Sequence, residues 1–400
     1  MKMINFINGR YLMYGGSIIF GRGLEYLLMF YMASYLTKDL YGQYEYYKKI
    51  IEFSVTFFSF GIPTLLLTYP KTKESKVNFS FFGLILNTGL VIILYPCFVY
   101  FNIELLMIPI LFFSLFHYSG SIIQSFNLVF YGSNFSSYYK IVVSIIFNVL
   151  IFLCLSKYNE LSLVRSTYFI LPVVFIYYCF KYHQFYKKNY FLNIKRYFRV
   201  FMKLLLSSFT IVFSKFLNFS FLYTDIFIIK LISDSPNQLI ADYAFSLNVA
   251  NILIIIPLTI AQVEIESLKS NQKLIFKIVK KINTYVIYLA VFLLVFYIFI
   301  VKVYVLDYQD TILLFFIILI AKMIQATTVS YGFFMLINKK YIENMYINVL
   351  VLVLNIVISY FAFHSFGVIG IAFSSLLTLQ IRKTLIKNRL SEKIKILRND

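Results

Sequence analysis

Five basic residues lie deep inside long apolar stretches of the chain, where a charged side chain is costly. Placing one charge at the centre of a bilayer costs about 2.5–3.5 kcal/mol, so such residues usually face a cavity or a charged partner. A cavity lined by lysine and arginine suits an anionic group such as a phosphate or pyrophosphate. We therefore predict substrate-binding roles for these basic residues: Arg22, Lys48, Lys49, Lys215 and Lys322.

Acidic and amide side chains accompany these cations. Glu25 follows Arg22 by three residues and Glu52 follows Lys48 by four, so on a helix each pair shares one face. One alternative stays open: each pair is a closed ion pair that steadies the helices and contacts no substrate. We predict ion coupling, to protons or sodium, for the carboxylates, and substrate contacts for two glutamines: Glu25, Glu52 and Asp225, with Gln124 and Gln325.

Polar side chains are spread unevenly over the apolar stretches. Ser114, His117, Ser121 and Gln124 recur every three or four residues, which predicts a continuous polar stripe on one side of a single helix. The fifth, sixth and eleventh stretches are predicted to carry no deep charge. A helix with a polar stripe must line an interior, whereas a helix without charge is able to face lipid.

Transmembrane helices are the elements that must position these residues. The chain of 400 residues is 60% hydrophobic and 14% charged, with a mean hydropathy of +0.80. Apolar runs of about 20 residues recur, and long runs favour helices over barrel strands. We predict an all-α integral membrane protein with about twelve transmembrane helices, at 11–36, 43–69, 78–100, 104–131, 136–156, 161–180, 201–231, 238–268, 278–302, 310–337, 342–364 and 367–386.

The basic residues also predict the orientation of these helices. Most loop lysines and arginines fall in alternate loops, which the positive-inside rule assigns to the cytoplasm together with both termini. We therefore predict a multi-pass protein of the bacterial inner membrane, in contact with membrane lipids. The richest cytoplasmic cluster lies at residues 181–203, between the two halves of the chain. This cluster is a candidate linker, and it is able in addition to bind anionic lipid headgroups.

The two halves of the chain follow one plan. Residues 1–195 and 196–400 each predict a six-helix lobe, the first with the basic linker and the second with a basic cytoplasmic tail. Early in each half a span is broken by a proline, Pro63 or Pro257, and closed by lysines. Such duplication is typical of transporters that rock about a shared central site. We predict that the two prolines are matched hinges for alternating access.

Several functional classes are disfavoured by the sequence. The net charge of +20 lies mainly in the cytoplasmic loops, so it does not indicate nucleic-acid binding. The three cysteines have no paired spacing, and we predict no metal site and no cofactor beyond an ion gradient. Nucleotide-binding and nucleophile-elbow motifs are absent from the sequence, so we predict no catalytic residue. A polysaccharide polymerase stays a lesser alternative, because it would need a sizeable outer loop.

Short motifs along the whole chain resemble one transporter family. The chain is similar to the O-antigen and polysaccharide flippases (the Wzx type) of the multidrug/oligosaccharidyl-lipid/polysaccharide exporter superfamily. The matching residues are Tyr14-Gly15-Gly16 with Gly21 and Gly23, then Tyr35-Leu36-Thr37-Lys38-Asp39-Leu40-Tyr41-Gly42-Gln43-Tyr44, Phe60-Gly61-Ile62-Pro63, Asp225 and Asp242-Tyr243.

The resemblance carries specific expectations. It implies a V-shaped bundle of two six-helix lobes, like that of MATE exporters, around a cationic central cavity. It also implies a flippase, not an enzyme, that moves undecaprenyl-pyrophosphate-linked oligosaccharides for O-antigen or capsular polysaccharide synthesis. Its partners would be the polymerase and chain-length proteins of the same pathway. The main rival is an ion-coupled drug or metabolite exporter of the same fold, whose pocket would normally centre on carboxylates.

Overall fold

The protein is helical throughout the part of the chain that the structure describes. The computed structural model describes residues 9–117, 121–207, 209–263, 273–338 and 340–399, apart from the side chains of several short stretches and of single residues such as Lys215. These residues contain no strand. The helices are α1 (Gly9–Tyr35), α2 (Lys38–Phe58), α3 (Ile62–Thr68), α4 (Lys73–Ile93), α5 (Tyr95–Tyr100), α6 (Met107–Phe112), α7 (Ile122–Phe130), α8 (Ser133–Tyr158), α9 (Ser162–Lys187), α10 (Ile194–Ser207), α11 (Phe209–Ile232), α12 (Pro236–Val263), α13 (Leu274–Val303), α14 (Ile312–Ile337) and α15 (Tyr341–Asn399).

The helices agree with an all-α membrane protein. In the described residues, 7 helical segments are long and apolar enough to cross a membrane. Two of these segments, Ser133–Lys187 and Tyr341–Leu390, have 55 and 50 residues, and about 20 residues suffice for one crossing. Each has an internal break, at Asn159 with φ 45° and at Gly367 with φ 58°. The predicted spans 136–156 with 161–180, and 342–364 with 367–386, lie on the two sides of these breaks.

The fourth predicted span is not one helix, so the predicted continuous polar stripe is wrong. It contains α6, a π-helical turn over Phe113–His117 and then α7. Ser121 is extended and caps α7, accepting a hydrogen bond from the backbone N–H of Gln124 at 3.3 Å. Ser114 instead donates to Asn87 of α4 at 2.9 Å. Helical spacing therefore does not relate residue 114 to residue 124.

The two prolines that the sequence pairs are not equivalent in structure. Pro63 lies in the first turn of α3, after a break in which Phe60 and Gly61 have φ of 47° and 70°. Proline is tolerated there because first-turn N–H groups have no partner inside the helix. Pro257 lies inside the continuous helix α12. The expectation that both break their spans in the same way is wrong for Pro257, and the hinge roles stay predictions.

The chain forms two compact units. Unit 1 comprises Met1–Tyr35 with Tyr47–Val212, and unit 2 comprises Leu36–Tyr46 with Phe213–Asp400. The helix α2 thus begins in unit 2 and ends in unit 1. The helix α10 belongs to unit 1, and the boundary between α10 and α11 falls at residue 208, outside the described residues. The division into lobes 1–195 and 196–400 stays a prediction from the repeat.

Candidate functional site

The helix α1 carries the first charged pair of unit 1. The guanidinium of Arg22 lies 2.7 Å from a carboxylate oxygen of Glu25, one helical turn away. Both side chains are part-exposed, at 41% and 31%. Their helix approaches α8 closely, since a methyl group added at Gly21 would lie 3.3 Å from the hydroxyl of Ser144. Because Gly21 has no side chain, α1 packs closely on α8 and the charged pair lies near that helix.

The helix α2 carries a second pair in unit 1. The ammonium of Lys49 lies 3.2 Å from Glu52, and both side chains are largely buried, at 5% and 14% exposure. The sequence pointed to Lys48 as the partner at four residues, whereas this ion pair joins residues three apart. Lys48 is also an electrostatic neighbour of Glu52, as is Arg22. The two pairs therefore belong to one charged group.

Two residues outside α1 and α2 lie beside these pairs, and one of them, Lys140, belongs to the group. Glu25 interacts electrostatically with His117, whose ring packs among aromatic side chains, 4.7 Å from the ring centre of Phe147. Lys140 of α8 is a neighbour of both Arg22 and Glu25. The expectation that the fifth span carries no such charge is wrong, because Lys140 lies too near its start to look deep in the sequence. We define the cationic group as Arg22, Lys48, Lys49 and Lys140 with Glu25 and Glu52.

The cationic group has an excess of positive charge. It contains four basic and two acidic side chains, all in unit 1. Arginine presents a planar fork of donors that matches phosphate oxygens, and lysine supplies a mobile point charge. Since each carboxylate pairs with a cation, the group has positive charge left for an anionic ligand.

Unit 2 contains a buried carboxylate in α11. Asp225 is 4% exposed and accepts a hydrogen bond from the side-chain N–H of Asn355 at 3.0 Å. Its second oxygen accepts from Ser375 at 2.6 Å and from the hydroxyl of Tyr243. The carbonyl oxygen of Asn355 accepts in turn from Thr378 at 3.1 Å. We call these five residues the Asp225 cluster.

The sequence reveals only part of the Asp225 cluster. Asp225 stands out as a charge in an apolar stretch, and Asn355 stands out as a polar residue inside the predicted span 342–364. Tyr243 lies outside the reach of spacing arguments because it comes from another helix. Ser375 and Thr378 share one face of a membrane helix. Hydroxyl side chains in that position indicate a polar contact with another helix, and this is the signal that the sequence offers.

The remaining predicted residues have separate positions. Lys322 of α14 is 5% exposed and donates to Gln325 at 3.0 Å, and its charge also acts on Asp225. Both therefore lie in unit 2, beside the Asp225 cluster. Gln124 is buried in the first turn of α7, in unit 1. The side chain of Lys215 lies outside the described residues.

The described residues offer no evident metal centre of the usual kind. No group of three or more histidine, cysteine, aspartate or glutamate side chains among them has the arrangement to hold a metal ion. The Asp225 cluster supplies one carboxylate with hydroxyl and amide oxygens. The hydroxyls of Tyr243 and Ser375 and the side-chain N–H of Asn355 donate to this carboxylate.

The fold is that of known membrane transporters. One similar structure is the inward-facing conformation of a multidrug resistance MATE family transporter of the MOP superfamily, with TM-score 0.66, 13% identity, and coverage of 94% of this chain and 96% of that one. Another is lipid II flippase MurJ in an inward closed conformation, with TM-score 0.56, 15% identity, and coverage of 95% and 87%. No protein family profile and no curated protein sequence matches the chain. The chain therefore has an all-α membrane transporter fold.

Proposed function

We propose that the protein is a flippase for undecaprenyl-pyrophosphate-linked oligosaccharides in the bacterial inner membrane, working by alternating access in O-antigen or capsular polysaccharide synthesis. The observation that carries the proposal is the cationic group, in which four basic side chains accompany two carboxylates within three predicted membrane spans. A charge in such a position is expensive unless it serves a ligand or a partner. A pyrophosphate that enters the membrane with its lipid is a ligand that would use this excess.

The roles of the individual residues follow from their chemistry. Arg22 and Lys140 approach Glu25 from two helices, so a phosphate between them would meet donors from both sides. Lys49, held by Glu52, and Lys48 would supply further positive charge. The carboxylates keep the cations oriented when no substrate is bound. Lys215, Lys322, Gln124 and Gln325 stay proposed contacts for the rest of the substrate.

Ion coupling is proposed for the Asp225 cluster. The partners that Asp225 has at hydrogen-bond distance are the neutral groups of Tyr243, Asn355 and Ser375. A buried carboxylate with neutral partners gains most from binding a proton or a sodium ion, because that ion removes its net charge. Glu25 and Glu52 are weaker candidates, since each already faces a cation. Lys322 would modulate the affinity of Asp225 through its charge.

The fold similarity supports two functions. The lipid II flippase acts, by its name, on lipid II, which favours a lipid substrate for this chain. The likeness to a multidrug resistance transporter favours a drug or metabolite exporter as the second candidate. The excess of lysine and arginine in the cationic group repels cationic drugs, so it favours the flippase.

Deletion of the gene in its bacterial host distinguishes the two candidates. A flippase predicts loss of surface polysaccharide and accumulation of lipid-linked repeat units on the inner leaflet. These are measured by extraction of undecaprenyl-linked glycans and by their resistance to an added membrane-impermeant glycosidase. A drug exporter predicts normal polysaccharide and raised retention of a cationic dye. Normal polysaccharide with normal lipid-linked pools would overturn the proposal.

A further inference from the structure

The helix α10 has a strongly basic face. Residues 161–224 contain no aspartate or glutamate, so no acidic residue of this segment offsets the cations of α10. Their side chains are all exposed, and among the described residues none of them takes part in an ion pair. The basic face consists of Lys195, Arg196, Arg199 and Lys203.

The opposite face of α10 is fixed on α4. The ring of Phe201 is fully buried and lies 5.4 Å from the ring of Phe79. The hydroxyl of Tyr197 donates to Glu74 at 3.1 Å. Just before the helix, the carbonyl of Tyr190 accepts from the side chain of Asn78 at 2.8 Å. These contacts set the rotation of α10, so its basic face points away from α4.

Apolar side chains next to the basic face are exposed as well. Phe198 is 49% exposed and lies on the flank between the packed face and the basic face, where its ring is 5.2 Å from that of Phe82 in α4. Leu206 is 72% exposed and lies within the basic face, between Lys195 and Arg199 on the helical wheel. Leu192, in the preceding loop, is 77% exposed. A soluble acidic partner would bind through the cations and would not require exposed apolar side chains. A bilayer interface binds the cations and the apolar side chains together, because headgroups contact the cations while the apolar side chains enter the acyl region.

We propose that α10 lies in the plane of the membrane and binds anionic phospholipid headgroups of the inner leaflet. The positive-inside rule places the segment on the cytoplasmic side, where anionic lipids attract basic residues. By binding lipid, α10 would hold unit 1, through α4, at a fixed depth. This inference does not depend on which substrate the protein moves.

A tryptophan introduced into α10 makes the proposal measurable, because the chain contains no tryptophan. The full-length L206W protein is purified in detergent and titrated with micelles of phosphatidylglycerol or phosphatidylcholine. We expect a blue shift of the tryptophan emission with a midpoint about tenfold lower for phosphatidylglycerol. Equal midpoints for the two lipids would overturn the proposal.

Matched variants test the basic face. In the L206W background, K195Q/R196Q/R199Q/K203Q should lose the preference for phosphatidylglycerol, whereas the charge-preserving K195R/K203R should keep it. The control K273Q/K277Q/K280Q/K281Q removes the same number of cations near the start of α13 and should also keep it. An equal loss in the control would show a general charge effect and contradict the proposal. Gel filtration checks that each variant is folded. If the fourfold variant is not folded, the lipid preference is still tested with K195R/K203R, which should keep it.

Depth in a bilayer is the second readout. L206W is placed in nanodiscs whose lipids carry bromine near the glycerol end of the acyl chains. We expect strong quenching by bromine and weak quenching by aqueous acrylamide. The reverse pattern would mean that α10 faces water, and it would favour an acidic protein as the partner instead.

Discussion

Lys38, the first residue of α2, places its ammonium 2.7 Å from a carboxylate oxygen of Asp242 in α12. The same ammonium lies 4.9 Å from the ring centre of Tyr308. Both charged side chains are about three-quarters buried, at 24% and 22% exposure. The ion pair therefore attaches the beginning of α2, which belongs to unit 2, to helices from the second half of the chain.

Breaking this ion pair should destabilise unit 2 from either side. K38M leaves the Asp242 carboxylate unpaired, and D242N leaves the Lys38 ammonium unpaired. The double variant should therefore lose less unfolding free energy than the two single variants lose together. We expect a coupling energy of about 0.5–1 kcal/mol, measured as unfolding free energy in a dodecyl sulfate titration. K302M, which removes an exposed lysine of α13, should change the free energy by less than about 0.5 kcal/mol. Additive single effects would show that the ion pair contributes nothing.

Gly42 lets α2 approach α12 more closely than any other residue would allow. A methyl group there would lie 1.8 Å from the backbone oxygen of Asn237. G42A should therefore push the helices apart and lower the free energy of unfolding by about 1–3 kcal/mol. G89A is the control, because nothing lies within 4 Å of its added methyl group. This helical substitution should stabilise by about 0.5–1 kcal/mol, so an equal effect of both would contradict the packing argument.

Within the described residues, nine of the twelve predicted spans correspond to helical segments able to cross a membrane, whereas 11–36, 43–69 and 201–231 do not, and one physical rule explains the agreement. A backbone in lipid must satisfy its own hydrogen bonds, so long apolar runs form helices. The break at Gly367, with φ 58° and ψ −142°, was predictable as well, since only glycine adopts this conformation readily. The break within the fourth span was not predictable, because Phe113–His117 is apolar enough to continue a helix. Just before the break, Ser114 donates to Asn87 of α4, a contact that no spacing in the sequence predicts.

The candidate site was predictable only within single helices. Arg22 with Glu25 follows from spacing along α1, and the pair forms. Lys140 and Tyr243 join their groups from other helices, and no periodicity in the sequence relates them to their partners. The same limit explains why Lys38 and Asp242 look like separate loop charges in the sequence. Contacts between helices that are distant in the chain require the tertiary structure.

Arg22 distinguishes a substrate contact from a purely structural ion pair. R22Q should reduce polysaccharide export about tenfold, since it removes a charged hydrogen-bond donor worth about 1.5–3 kcal/mol. If Arg22 only neutralised Glu25, the double variant R22Q/E25Q would restore export. If it binds the pyrophosphate, the double variant stays impaired. Export is measured as surface polysaccharide in a deletion strain that expresses each variant at equal level, with K302M as the control.

Lys140 provides an independent test of the cationic group. K140Q should lower export, and K140R should keep it, because the arginine retains the positive charge beside Arg22 and Glu25. The matched control is K157Q, which removes an exposed lysine at the end of the same helix. The apparent affinity for the lipid-linked substrate in proteoliposomes should fall in K140Q alone. Identical export in K140Q and K157Q would remove Lys140 from the group.

Asp225 tests the coupling to ions. D225N keeps the shape of the side chain and is able to hydrogen-bond with Asn355 and Ser375, but it cannot exchange a proton or neutralise a sodium ion. We expect transport in proteoliposomes to fall about tenfold or more and to lose its dependence on an imposed gradient. S246A is the control, because it breaks a buried hydrogen bond of 2.9 Å with Tyr297 in the same unit without changing charge. S246A should keep the gradient dependence even where it lowers stability. Gradient-dependent transport by D225N at the rate of the unaltered protein would exclude Asp225 from coupling and return that role to Glu25 or Glu52.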